Sequence, residues 1–180
     1  MIFWWMRRLC FLLFYGFLCC CSFTESTGGE AQYFDMDSLL SETQAGLIAS
    51  NPLVKKEVEI NGQRESQTTN YDSLQWSEEL KLLWDLDISA PRYRNAFDQT
   101  SEVPLAFERN EKDKNGLQSL TITSGNIKGE IIENTSIYSN HQRVEIAFSN
   151  KKISSIKVEG FQKMVLLDTT FYSSTIEIEY

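Results

Sequence analysis

Apolar residues recur along this chain with two different periods, and the change of period divides it. Between residues 35 and 97 the spacing is helical apart from one hairpin. Met36, Leu39, Leu40, Leu47 and Ile48 share a face of a helix that Asp35 and Asp37 open, where the dipole favours acidic groups, and that ends near Asn51, ahead of Pro52. Leu53 to Ile60 then alternates, with Val54, Val58 and Ile60 on one side and Lys55, Glu57 and Glu59 on the other. Asn61-Gly62 follows, a pair that tolerates positive φ at both positions and so signals a tight hairpin. The return segment 63–69 has no apolar side chain, which predicts an edge or protruding strand. Asp72 or Ser73 caps a second helix, on which Trp76, Leu80, Leu83 and Trp84 fall at i, i+4, i+7 and i+8. Paired tryptophans at that spacing read as anchors packing a helix onto a sheet. Ser89-Ala90-Pro91 predicts a short further helix through Tyr93 and Phe97, and residues 98–104 a connection.

From Leu105 the period becomes two. Leu105 and Phe107; Leu120 and Ile122; Ile127 and Ile131; Val144, Ile146 and Phe148; Ile156 and Val158; and Ile176, Ile178 and Tyr180 stand two or four apart. Turn-prone clusters separate them: Asn115-Gly116, Ser124-Gly125-Asn126, Ser139-Asn140, Ser149-Asn150 and Ser173-Ser174. One-sided alternation needs a cover for its apolar face, and the earlier helices are available. The expected fold is α+β, with N-terminal helices and a β-hairpin followed by a curved antiparallel sheet of about six strands. A closed lipocalin-like β-barrel is the second choice. Segment 161–172 fits either a strand or a helical turn.

The front of the chain has a different character. Arg7 and Arg8 precede ten uncharged residues, Leu9 to Leu18, and then Cys19, Cys20 and Cys21. Two positive charges, a short apolar core and a small-residue end are the parts of a secretory signal. A membrane span needs about 20 apolar residues, which the arginines interrupt. Leu18-Cys19-Cys20-Cys21 resembles the lipobox of bacterial lipoproteins, in which a leucine stands three places before the acylated cysteine. The resemblance implies a diacylglycerol thioether on Cys21, cleavage before it and an acylated new N-terminus, with Cys20 as the alternative attachment site. Met6 competes with Met1 as the start. The chain then divides into a signal at residues 1–20, an acylated cysteine and polar tether at 21–32, and one α+β domain at 33–180. The tether carries Gly28-Gly29 and few apolar side chains.

Removing Arg7 and Arg8 from 17 basic residues leaves 15 against 25 acidic, a net charge of −10. Nucleic acid is an unsuitable partner for such a body, because phosphates are held by clustered lysine and arginine. Membrane association therefore falls to the acyl chains on Cys21. All four cysteines lie at or before residue 21, so the folded part has no disulfide framework and no thiolate for a metal.

Candidate chemistry is sparse, and no cofactor or metal is expected. His141, the only histidine, lies in Ser139-Asn140-His141-Gln142-Arg143, a polar stretch that reads as a solvated turn. Glu111 to Gly116 imitates the first half of a calcium loop, but Ile122 stands where the bidentate glutamate belongs. Beyond the lipobox, the order of helix, hairpin, tryptophan-bearing helix and strand-rich half resembles bacterial cell-envelope lipoproteins of no assigned activity. The leading expectation is a lipid-anchored envelope protein, on the outer membrane because Ser22 rather than aspartate follows the cysteine, with a non-enzymatic binding or scaffold role toward an envelope protein. A carrier is the alternative, holding a lipid or other apolar ligand against Phe107, Ile122, Ile131, Ile146 and Phe148. A carboxylate-dependent hydrolase is the third, and would need two acidic groups converging in one cleft.

Overall fold

The computed structural model describes residues 36–110 and 115–180. Helix α1 (Met36–Ser50) buries Met36, Leu40 and Leu47 and stops at Asn51, whose φ of 43° and N–H bond to the Leu47 carbonyl form a left-handed cap. Strands β1 (Leu53–Ile60) and β2 (Gln63–Asn70) form the hairpin, its turn made by Asn61 at φ 50° and Gly62 at φ 84°. Helix α2 (Ser73–Lys81) opens with a reciprocal cap: Gln75 N–H donates to Asp72 Oδ1 at 2.8 Å, and Asp72 N–H donates to Gln75 Oε1 at 2.9 Å. The chain tightens into a 3-10 turn at Leu82–Leu86 and another at Pro91–Tyr93. Seven strands follow: β3 (Phe97–Glu102), β4 (Leu105–Arg109), β5 (Gly116–Ile122), β6 (Asn126–Asn134), β7 (Tyr138–Ser149), β8 (Lys152–Met164) and β9 (Thr170–Glu179).

Among the described residues the strands make one open antiparallel sheet in the order β2-β1-β9-β8-β7-β6-β5-β4-β3. This corrects the expected six-stranded sheet in two places. The hairpin does not stand apart, because β1 pairs with β9 along its whole length, from Leu53↔Glu179 to Ile60↔Tyr172. Residues 98–104, expected as a connection, lie largely in β3, and Phe97 opens that strand instead of closing a helix. The closed barrel is overturned as well, since β2 and β3 are opposite edges that do not meet. Segment 161–172 resolves into the end of β8, a turn, and the start of β9. Ser139-Asn140 and Ser173-Ser174, expected as turns, are paired inside β7 and β9, and the chain reverses before β7 around Thr135 and Ile137 instead.

Each strand presents alternate residues to opposite sides, so register assigns every side chain to a face. On one face lie Val54, Ile127, Ile131, Val144, Ile146, Ile156, Ile176 and Ile178, which form a single core with Trp76, Leu80, Leu83 and Leu86 from the helical segment. Gly129 on β6 is the seat for that segment: a Cβ there would lie 2.3 Å from Leu86 Cδ2, so only hydrogen lets the leucine settle onto the strand. Tyr93 packs similarly on β5, its hydroxyl accepting from Leu117 N–H at 3.0 Å. No helix among the described residues is long and apolar enough to cross a membrane. The lipobox cysteines and the tether lie outside the described residues.

Candidate functional site

The other face of the sheet carries the chemistry. Register aligns its side chains in rows across the strands. One row reads Glu130 on β6, Arg143 on β7, Glu159 on β8, Ser173 on β9, Glu59 on β1 and Arg64 on β2, alternating in sign for most of its length. The adjoining row reads Lys128, Glu145, Lys157 and Thr175. Lys128 pairs with Glu145 at 3.0 Å, Lys157 with Glu159 at 2.7 Å, and Arg64 with Glu59 at 2.7 Å. The hydrogen bond and charge of Lys157 hold the Glu159 carboxyl below its usual range, with Arg143 adding to the effect. That suits a fixed anion and makes Glu159 a poor proton donor at neutral pH.

A third row is aromatic. His141 faces Phe161 across β7 and β8, and Phe161 faces Phe171 across β8 and β9. Ring centroids are 5.5 Å apart in the first contact, edge to face, and 6.3 Å apart in the second. Both ends of the row are held. His141 Nε2 lies 2.6 Å from Glu130 Oε1, a hydrogen bond in which the imidazole N–H donates to the carboxylate. Phe171 is 61% exposed, yet its backbone is clamped by the hairpin turn: its N–H donates to Asn61 Oδ1, and its carbonyl accepts from Asn61 N–H, each at 2.9 Å. The row floors a cleft of about 420 Å³ whose walls include Glu59, Arg143 and Glu159. A second cleft of about 320 Å³ continues over β5 to β8 and shares Arg143 and Glu159 with the first.

His141 is thus placed in a strand rather than the solvated turn expected for it, and its neighbours Phe161 and Phe171 escaped the sequence reading. A signal for the phenylalanines was present. Beyond the bulge that follows Ile153, the core-facing residues of β8 and β9 (Ile156, the partly buried Val158, Ile176 and Ile178) have even numbers, whereas Phe161 and Phe171 have odd ones, which in an unbroken stretch of strand turns them to the opposite face. The five residues expected to line a carrier cavity fall on the helix-covered face. Phe107, Ile131 and Ile146 are buried there, with Ile122 and Phe148 packed partly buried against them. Core packing accounts for all five without a ligand. Of the calcium-like segment, residues 111–114 lie outside the described residues, and Asn115 Oδ1 is engaged by Asn134 N–H at 2.6 Å. Among the described residues no three histidine, cysteine, aspartate or glutamate side chains gather as a metal site.

No family model, curated protein or solved structure matches the chain. The functional reading therefore rests on the residues and their geometry.

Proposed function

We propose that this chain is a non-enzymatic binding protein of the bacterial cell envelope, anchored by acyl chains on Cys21, that offers the uncovered face of its sheet to another envelope component. The row of His141, Phe161 and Phe171 carries the binding half of this reading. Burial explains aromatic rings in a core, whereas a solvent-facing row beside a cleft, with its most exposed member clamped through the backbone, has a surface to offer. The Leu18 to Cys21 segment supports the anchoring half. Together they describe a body tethered near a bilayer with one face free.

Co-purification tests the reading. The full chain, isolated from its own envelopes in detergent, should bring with it a component identifiable by native mass spectrometry, and the Phe171→Ala chain should leave that component behind. Equal recovery with both chains would discard this face as the binding surface. Metabolic labelling with a clickable fatty acid checks the anchor separately: wild type should take up label and Cys21→Ser should not. Label persisting on Cys21→Ser but lost from Cys20→Ser would move the attachment site by one residue.

A further inference from the structure

The chemistry of the uncovered face narrows what it can hold. Its ionic groups are balanced: the second cleft has Lys128, Arg143 and Lys157 against Glu130, Glu145 and Glu159. A ligand of high net charge of either sign gains little from such a surface, and a phosphate backbone would meet a carboxylate beside every cation. A purely apolar ligand gains little too, since most of the lining residues carry an ionic or hydrogen-bonding group. What is present in quantity is fixed donors and acceptors. Each pairing leaves carboxylate oxygens and ammonium protons directed at solvent, and Arg143 takes part in no ion pair among the described residues, so its forked N–H groups are available. The same surface supplies the faces of Phe161 and Phe171.

A polyhydroxylated ring satisfies both conditions at once. A pyranose has an apolar face of axial C–H groups, which carry slight positive charge and are attracted to the negative face of an aromatic ring. Its rim carries neighbouring hydroxyls that both donate and accept, matching a guanidinium fork beside carboxylates. The site is also elongated. Its two clefts share Arg143 and Glu159 and together extend from β5 to β1, six strands or about 24 Å at a strand spacing of about 4.8 Å. A chain of sugars fills that length where a single sugar would not.

We infer that the uncovered face binds a neutral saccharide chain, with one ring stacked on Phe171 and Phe161 and the adjoining hydroxyls held by Arg143, Glu159 and Glu59. This rests on the reading of that face as the binding surface and adds the class of ligand. The aromatic row sets where the chain docks, and the charged rows set its orientation.

An array of immobilised oligosaccharides, spanning neutral hexose chains, N-acetylated amino-sugar chains and uronic-acid chains, tests it. The full chain is applied in a detergent without a sugar headgroup. Neutral or N-acetylated chains should be retained, Phe171→Ala should weaken retention on the order of tenfold, and Phe171→Trp should preserve it. Arg143→Gln should weaken it as well, which covers the case of an alanine variant that folds poorly. Retention of uronic-acid chains alone, or neutral binding indifferent to both Phe171→Ala and Arg143→Gln, overturns the inference. No retention of any saccharide also overturns it. If an envelope component still co-purifies in a Phe171-dependent way, the face remains the binding surface and only the ligand class is wrong; if none does, both readings fall.

Discussion

The two faces of one sheet solve opposite problems with the same alternation. On the covered face, buried isoleucines and valines from five strands meet Trp76, Leu80, Leu83 and Leu86, and Asn140 is the one polar residue buried among those described. On the uncovered face the strands carry lysine against glutamate, with three rings set among them. Rings on the first face are there to exclude water. Rings on the second are wet, and the contrast separates residues that hold the fold from residues that use it. Tryptophan 76 and phenylalanine 171 are the extremes, at 0% and 61% exposure.

Trp76→Ala should show the largest effect. It would open a cavity where α2 meets the sheet and remove the edge-to-face contact with Tyr71, whose ring centroid is 5.1 Å away. A loss of about 3 to 5 kcal/mol is expected, read from urea midpoints at constant slope. The indole N–H has no acceptor among the described residues, so Trp76→Phe should cost markedly less than truncation. Equal losses would show that the N–H matters more than the packing. Next comes Gly160→Ala. A Cβ at this position would stand 2.1 Å from the His141 carbonyl oxygen and 2.9 Å from the Tyr172 hydroxyl, which donates to Asn140 Oδ1 at 2.9 Å. Backbone cannot yield as a side-chain tip can, and about 1 to 3 kcal/mol should be lost. Since the group that must move belongs to His141, this variant should also disturb the aromatic row across the sheet, whereas Trp76→Phe should not.

How far the sequence discloses this arrangement depends on whether a strand has one apolar face. The caps at Asp72 and Asn51, the Asn61-Gly62 turn, and the cores of β4 to β9 are legible because local chemistry or alternation marks them. Strand β3 is not, because an edge strand reading Phe-Asp-Gln-Thr-Ser-Glu buries only its first residue. The first half of β7 hides for a related reason: Asn140 and Gln142 are polar on the covered side, and Ser139, His141 and Arg143 are polar on the other, so no period survives. Partner choice has no local signature at all. Nothing near residues 53–60 says that their neighbour is the final strand, which is settled by completion of the core around Val54, Ile176 and Ile178. The candidate site is hidden on the same ground, since rings whose parity turns them outward leave no buried pattern in the sequence.

The faces should also answer pH in opposite directions. On the covered side, burial and the charge of Glu79 raise the Tyr71 hydroxyl to about 12, and burial raises Tyr172 and Tyr180; nearer the solvent, the hydrogen bond to Glu133 raises Tyr138 to about 12, a contribution that water screens. A proton held more tightly in the folded state stabilises it fully below the ordinary tyrosine value of about 10, and that contribution is lost as pH climbs from about 10 towards about 12. On the uncovered side the lowered Glu159 works the other way. Its contribution is present above the ordinary carboxylate range and disappears as pH falls through that range, and it is small because both partners are nearly half exposed. Urea midpoints measured across pH should therefore fall steeply at the alkaline end for wild type and less steeply for Tyr71→Phe. At the acid end Lys157→Ala should barely change the profile. A strong acid response from that single pair would mean that the charged rows bear structural weight.

Phe171→Ala should have the smallest effect on stability, and this sharpens the contrast most. The substitution removes a whole ring, as Trp76→Ala does, but from a site where 61% of the residue already meets water. Its ring contact is the tilted packing against Phe161, and cross-strand pairs of that kind contribute about 0.2 to 1 kcal/mol. The Asn61 clamp acts through the Phe171 backbone and survives truncation. A midpoint close to wild type, together with lost co-purification, would assign this ring to recognition. A loss approaching that of Trp76→Ala would instead make the row a second core, exposed only while its covering partner is absent. The distinction matters physically: a ring kept wet at little cost to the fold is free to be a platform, whereas one that the fold depends on is half of an interface whose other half is missing.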